Sequence, residues 1–488
     1  MDFALLLSGG SGPSTGMPQS QQHRLYTCLR TAILSGRLAA GTRLPSSRTL
    51  ARELAVARNS VLHAYERLDT EGFVAATRQG TVVAHARIAE AAGAAPELGM
   101  TPGKTPHPAR RIATPPDAGT GADDLLPFRT GMPALREFAL APWRRCMNRA
   151  WRQVGAGQLG YAALGGHAGL RSAIAEHVRV SRGVLCEAEQ VLITAGSQSA
   201  LDLCAQLLAS PGDSVWLEDP GYQGAHAAFA AAGLRLVPIG VDAHGLALPA
   251  PDSRAARPRL IYVTPSHQYP LGAVMSLTRR LALIERARAL GAWIIEDDYD
   301  SEFRHPGPPL PAVQGLSADA PVIYLGTFSK TLFPGLRLGF MVLPPALVQV
   351  LQQADGGLAL HGRVAEQMAT ADFITSGHFA RHLRRMRMLY AERGDALRTA
   401  LGRHLHGVLT ASAGAGGMHL SVRLDVPVAD VAVARAARAS GLALRPLSPL
   451  CLRQSERHRY NGFVLGYGGM PAAQMDALVS RLGEVIAG

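Results

Sequence analysis

Hydrophobic positions near the start of the chain recur with a helical period and then switch to a strand period. In HRLYTCLRTAILSG, Leu25, Leu29, Ala32 and Ile33 share one helical face, and Gly36 breaks the run. LPSSRTLARELAV follows, with Pro45 and either Ser46 or Ser47 placed to start and cap a second helix. After a turn through Ala55–Ala57, RNSVLHAYERLDTEG carries Val61, Ala64, Tyr65 and Leu68 as a buried stripe and stops at Gly72. FVAATRQGTVVA then reads as two short strands around Gln79-Gly80.

The pattern changes twice more. Residues 85–124 are rich in Pro, Gly, Ala and Thr without periodicity, which predicts a mobile linker. From Leu125 onward, apolar runs such as QVLITAG, SVWLED, RLIYVTP, AWIIEDD and VIYLGT alternate with helical stretches. That alternation predicts an α/β domain with a mostly parallel sheet covered by helices. MHLSVRLDV and GFVLGY, flanking a helical VADVAVARAARASG, predict a smaller C-terminal α+β lobe. The expected boundaries are 17–84, 85–124 and 125–488.

Helix, helix, turn, helix and hairpin together make a winged helix-turn-helix. Its third helix is expected to enter a DNA major groove with Arg58, Asn59 and Ser60 leading. Between Gln21 and Glu90 stand ten Arg against five acids, an excess that supplies attraction to phosphate. A small protein-binding domain with solvated arginines is the alternative reading of the same pattern.

Composition narrows the picture only in places. The net charge of +12 permits binding to nucleic acid or an anionic surface without choosing between them. Five scattered cysteines form no CxxC pair, so neither a disulfide framework nor a metal site is expected, and a reducing cytoplasm fits. The N-terminus lacks a basic, signal-like region, and no apolar run approaches the ~20 residues of a membrane span.

One count changes the argument more than charge does. Among 49 Lys plus Arg, only Lys104 and Lys330 are lysine. Lys104 falls in the expected linker and reads as a solvated charge. Lys330 follows the predicted strand VIYLG, with Thr327 and Ser329 before it and Arg337 after it. An amine can attack a carbonyl, whereas a guanidinium effectively cannot. A lysine at the mouth of a parallel sheet, flanked by hydroxyls and an Arg, suits an aldehyde cofactor carrying a phosphate, and pyridoxal phosphate fits. Asp297 in AWIIEDDYDSEFR can keep the cofactor's pyridine nitrogen protonated, and Tyr299 can hydrogen-bond its ring oxygen. Gly196, Ser197 and Gln198 pass from strand to helix, where backbone N–H groups would cradle the phosphate. Tyr222 could stack on the ring.

Two family resemblances follow from these stretches. GRLAAGTRLPSSRTLARELAVARNSV resembles the DNA-binding domain of GntR-family regulators. That resemblance implies DNA contacts from Ser46, Ser47, Arg48, Arg58, Asn59, Ser60, Arg78, Gly80 and Thr81, on a wing one residue shorter at RQGT than usual. From Leu125 on, the chain resembles fold-type I aminotransferases. The resemblance implies a Schiff base at Lys330 and assigns Thr327 and Arg337 to the same segment. It gives Tyr161 a reach to the partner subunit's cofactor phosphate. Fused, the two parts resemble the MocR subfamily, of which TPSHQYPLG and EDDYDSEFR are typical. That implies a cytoplasmic, head-to-tail homodimeric transcription regulator that holds pyridoxal phosphate and senses it or an amino-acid-like effector. A working aminotransferase with an accessory DNA-binding domain is the alternative, and a regulator that has lost the cofactor a third. Two departures stand out. Tyr269 occupies a place where aminotransferases commonly carry Asn. Ser448-Pro449 replaces a Ser-Arg of some members, leaving Arg445 and Arg453 as candidate carboxylate anchors.

Overall fold

The computed structural model describes residues 21–77, 80–84, 125–160, 165–250, 256–304, 310–353, 362–413 and 416–488. The predicted linker, Lys104, Tyr161 and Arg78 lie outside them. The chain divides into two compact units, Met1–His107 and Pro108–Gly488.

The first unit is three helices and a hairpin. Helices α1 (Gln21–Leu34), α2 (Ser47–Glu53) and α3 (Arg58–Thr70) precede strands β1 (Val74–Thr77) and β2 (Gly80–Val83). The stripe read from the sequence is the buried one: Leu25, Leu29, Ala32 and Ile33 of α1 meet Val61, Ala64, Tyr65 and Leu68 of α3 in one apolar cluster. Ser46 resolves the choice of cap, since its side chain accepts from the Thr49 amide. Such a cap contributes about 1 kcal/mol. The hairpin pairs Val74 with Val83 and Thr77 with Gly80.

The second unit is built on an eight-stranded sheet. Its strands are β3 (Val191–Thr194), β4 (Ser214–Asp219), β5 (Arg235–Asp242), β6 (Gly245–Leu246), β7 (Leu260–Val263), β8 (Trp293–Asp298), β9 (Val322–Thr327) and β10 (Gly339–Val342). They run in the order β3-β10-β9-β8-β7-β4-β5-β6. The five central strands from β9 to β5 are parallel; β10 and β6 run against their neighbours. Strands β3, β4, β7 and β9 are buried at every position, as expected of strands covered on both faces. A four-stranded antiparallel sheet forms the C-terminal lobe, from β11 (Leu409–Ala411), β12 (His419–Leu424), β13 (Arg445–Pro446) and β14 (Gly462–Gly466), in the order β11-β12-β14-β13. The segment after residue 124 joins this lobe through a bridge between Phe128 and Gly466.

Parallel strands place all their carboxyl ends on one rim, the edge where α/β sheets hold ligands. Here Gly196 follows β3, Tyr222 follows β4, Thr264 follows β7, Tyr299 follows β8, and Lys330 follows β9. Among the described residues, no helix is long and apolar enough to cross a membrane.

Candidate functional site

Strand β8 carries three consecutive acids, Glu296, Asp297 and Asp298, all buried. Because side chains alternate across a strand, Glu296 and Asp298 face one way and Asp297 the other. Asp298 receives Arg182 Nε at 2.7 Å and the Tyr324 hydroxyl at 2.7 Å. Burial alone would raise its carboxyl, but these partners outweigh burial and hold it below the ordinary value. Glu296 accepts the amides of Val313 and Gln314, with Arg280 Nη1 4.0 Å away. Glu296 is tied to the scaffold through both oxygens, and Asp298 through Oδ2, its Oδ1 having no hydrogen-bond partner among the described residues.

Asp297, unlike its two neighbours, lines a cavity. Its Oδ2 accepts the Tyr262 hydroxyl at 2.8 Å, while its Oδ1 is buried with no hydrogen-bond partner among the described residues. Burial pushes the carboxyl up to about 6, against the Tyr262 hydrogen bond. A buried acceptor without a donor is costly to leave unmade. It stands in a cavity of about 270 Å³ that is also lined by Gly196, Ser197, Gln198, Tyr222, Tyr299, Thr327, Ser329, Lys330 and Arg337. The orphaned oxygen fits a cationic ring N–H, which is what protonated pyridoxal phosphate presents.

The lysine lies in the short helix Phe328–Thr331, capped by the Thr327 side chain, which accepts the Ser329 amide. Lys330 Nζ donates to the Gly131 carbonyl at 2.7 Å. A Cβ at Gly131 would stand 2.7 Å from that nitrogen, and the residue has φ of +75°, so only glycine allows this approach. Gly196 precedes the 12-residue helix Ser197–Leu208 at φ +103°. The N–H groups of that helix start, together with Arg337, make one wall suited to a phosphate dianion. Arg337 sits in the left-handed region at φ +50°, and its carbonyl accepts Arg363 Nη1 at 3.1 Å. Tyr222 caps the helix Gln223–Ala231, and burial lifts its phenol to about 12, so it stays protonated. The Tyr299 hydroxyl donates to the His267 carbonyl at 2.9 Å.

In the first unit, Ser46, Ser47, Gly80 and Thr81 border one concave surface with Arg43. Arg58 Nε donates to Ser47 Oγ at 3.4 Å, tying the start of α3 to that of α2. Arg48, Arg58 and Asn59 are exposed. Ser60, also expected at the DNA surface, is buried within α3. The helical period turns it toward the core beside Val61, whereas Arg58 and Asn59 face outward.

The family model for bacterial regulatory proteins of the gntR family matches residues 21–83, and that for class I and II aminotransferases matches residues 137–482. The chain is 41% identical to the probable rhizopine catabolism regulatory protein MocR of Rhizobium meliloti, over 94% of this chain and 92% of that protein. The chain belongs to the MocR-type regulators of the GntR family. It is 30% identical to the pyridoxine biosynthesis transcriptional regulator PdxR of Corynebacterium glutamicum, with 96% of each covered. Among solved structures it is similar to LysN, the α-aminoadipate aminotransferase of Thermus thermophilus complexed with N-(5'-phosphopyridoxyl)-L-leucine. That match has 32% identity and a TM-score of 0.67, covering 75% of this chain and 92% of LysN.

The cavity of this MocR-type chain holds residues that sequence reasoning missed. Thr130 and Gly131 come from the RTGMP turn, which shows no periodicity. Tyr262 and Thr264 sit on or just after β7, where only the alternation of a strand could have pointed to them. Tyr269, Asp300, Pro334, Met418 and His419 complete the lining. His267 Nδ1 lies 3.0 and 3.1 Å from the two Asp300 oxygens, and the His267 and His419 rings are 4.6 Å apart. These three residues form a buried cluster whose candidate ligand atoms lie within 4.8 Å of one another, a group the sequence reading did not expect. The two candidate carboxylate anchors are outside the lining. Arg445 donates to Gln223 Oε1, and Arg453 Nε to Asp219 Oδ2 at 3.1 Å.

Proposed function

We propose that this chain is a cytoplasmic transcription regulator that binds operator DNA through its first unit and holds pyridoxal phosphate in the cavity of its second. The observation that carries the cofactor is the unpartnered Oδ1 of Asp297 in the same cavity as Lys330. In this reading Lys330 supplies the amine that bonds the cofactor's aldehyde. Asp297 accepts the ring N–H and keeps that nitrogen charged. Ser197 and Gln198 at the helix start, with Thr327, Ser329 and Arg337, bind the phosphate; Tyr222 covers the ring and Tyr299 faces its oxygen. When bound, the cofactor supplies an electrophilic carbon that captures primary amines.

The DNA-binding surface comprises Ser46, Ser47, Arg48, Arg58, Asn59, Gly80 and Thr81, with Arg78 as a further candidate. The working form is a head-to-tail homodimer that presents two such surfaces to two half-sites. An amine effector acts by binding one arrangement of the two surfaces better than the other.

The deciding experiment joins the two ends of the chain. Purified protein carries the cofactor's visible absorbance, and Lys330→Ala and Lys330→Arg lose it. Cofactor or effector affinity then differs between free protein and protein on a two-site operator by the same factor with which these ligands change operator affinity. An operator without effect on either affinity defeats the sensor reading.

The match to class I and II aminotransferases favours a second reading, a working aminotransferase with an accessory DNA-binding domain. Sustained turnover of an amino donor and a keto acid, together with an operator that leaves cofactor affinity unchanged, selects it.

A further inference from the structure

Residues 126–136 contribute to the walls of two cavities. Thr130 and Gly131 line the one that holds Lys330, while Leu126, Arg129, Met132, Leu135 and Arg136 line a second, to which Met470 of the C-terminal lobe also belongs. The second cavity has a volume of about 150 Å³. An apolar cavity of that size takes one ring the size of benzene. Leu126, Met132, Leu135 and Met470 supply an apolar wall, and Arg129 and Arg136 bring two guanidinium groups to it. A planar guanidinium matches a carboxylate in both shape and charge. Arg129 also lies near the Tyr269 phenol, whereas Arg136 is exposed to solvent.

The shared segment is held at its ends. The Pro127 carbonyl accepts the Ala443 amide at 2.8 Å, the Phe128 carbonyl accepts the Gly466 amide at 3.0 Å, and the Ala134 amide donates to the Tyr390 hydroxyl at 2.9 Å. Between these ties lies the Gly131 carbonyl, which accepts Lys330 Nζ at 2.7 Å. Phe128 is fully buried at φ +66°, in the left-handed region that a bulky L-residue rarely enters. Such a conformation persists only where its surroundings impose it, and it gathers at ligand clamps and switch regions. The Phe128 amide meets Met470 Sδ at 3.2 Å, so the strained residue is tied to the wall of the second cavity.

We propose that this second cavity binds a small carboxylate with a compact apolar body. The carboxylate pairs with Arg136, and the body lies against Leu126, Met132, Leu135 and Met470. The occupant acts through Met132 on the neighbouring Gly131 carbonyl, and so on Lys330. The site stands on its own cavity; the coupling rests on the cofactor reading above.

Two carboxylates and a neutral counterpart test the site on the full chain. Benzoate, 3-methylbutanoate and benzyl alcohol are titrated by calorimetry, at constant ionic strength, into protein loaded with pyridoxal phosphate. At least one acid is expected to bind at least tenfold tighter than the alcohol. Arg136→Gln should weaken that acid at least tenfold, and Arg136→Lys, which keeps the charge without the fork, should weaken it less. The half-saturating concentration of pyridoxal phosphate, followed by absorbance, should shift at least twofold when the acid is saturating, and stay in place in Arg136→Gln. An acid that binds wild type and Arg136→Gln equally occupies another place and overturns the site. So do an alcohol that binds as tightly as the acids and a protein that binds neither acid. Binding that depends on Arg136 but leaves the pyridoxal phosphate midpoint unmoved overturns the coupling. A wild-type chain that takes up no pyridoxal phosphate refutes the cofactor reading instead, and the same calorimetry on that chain still decides the site.

Discussion

Tyr262 donates its hydroxyl to Oδ2 of Asp297 at 2.8 Å, and Oδ1 of the same carboxylate is buried without a hydrogen-bond partner among the described residues. One oxygen is oriented by the scaffold, and the residue that carries the other lines the cavity of Lys330. This half-satisfied state costs stability, and the cost is measurable.

Asp297→Asn is expected to stabilise the cofactor-free protein. The native carboxyl is raised from 3.8 to about 6, so at pH 7 its ionisation opposes folding by about 2–3 kcal/mol. The sign follows from proton binding. Between pH 4 and pH 6 the folded state holds a proton that the unfolded state has lost, so the penalty grows across that window and is complete above it. The thermal advantage of Asn should therefore be full at pH 7 and vanish near pH 4. The same variant should load the cofactor poorly, as followed by absorbance.

Tyr262→Phe removes the donor that orients this carboxylate. Hydrogen bonds to charged groups are worth about 1.5–3 kcal/mol. Cofactor affinity should fall by a comparable amount at pH 7. The pH midpoint of the remaining binding should move upward, because the hydrogen bond was holding the Asp297 carboxyl down. An unmoved midpoint in an equilibrium titration would show that Tyr262 does not tune this acid.

Gly131→Ala places a methyl 2.7 Å from the Lys330 nitrogen and demands φ of +75° of an L-residue. The backbone term alone costs about 1–2 kcal/mol. Gly212→Ala supplies the control, since Gly212 has φ of +95° and open space around its Cβ position. Both variants should melt earlier, but only Gly131→Ala should also lose cofactor absorbance. Equal loading in the two would detach Gly131 from the lysine's placement.

Arg182 and Asp298 form a buried pair, at 3% and 1% side-chain exposure. Removing one partner of such a pair typically costs about 3–5 kcal/mol, because the other charge is left without compensation. Arg182→Met should show that loss in denaturant unfolding. Arg182→Met with Asp298→Asn should recover part of it, and a double variant no better than the single one would show that the pair is not coupled.

In the first unit, Arg48→Ala and Arg58→Ala should weaken operator binding, by about 1–3 kcal/mol where the guanidinium reads a guanine. Where the contact is only with phosphate, the loss should be uniform across sequences and the salt dependence should flatten. Ser60→Ala should leave affinity unchanged, in keeping with its burial. Gel-shift or anisotropy titrations at two salt concentrations separate these outcomes.

Periodicity and residue chemistry carried much of this molecule into view before any coordinates. The α1 and α3 stripes were legible because burial on one helical face repeats with a fixed spacing, and Ser46 was one of two candidates for the cap. The sheet was legible because strands covered on both faces are continuously apolar. Lys330 and Asp297 stood out because each lies at a strand end or just beyond, where chemistry gathers, and because lysine is so rare in this chain; Arg337 stood out as the cation that follows Lys330.

What the sequence could not supply was direction and distance. EDD reads as three equivalent acids; only packing shows that Arg182 and Arg280 lie near Asp298 and Glu296 while Asp297 faces a cavity without such a partner. Arg445 and Arg453 were the anchors that the aminotransferase resemblance offered; their contacts with Gln223 and Asp219, more than 200 residues away in the chain, are visible only in the fold. Gly131 and His419 meet Lys330 and Asp300 at one cavity only after the C-terminal lobe has folded against the rim of the sheet. Local pattern is written along the chain because neighbours share a backbone geometry. The half-partnered carboxylate of Asp297 and its place in one cavity with Lys330 are properties of contacts between distant segments, and only tertiary structure decides those.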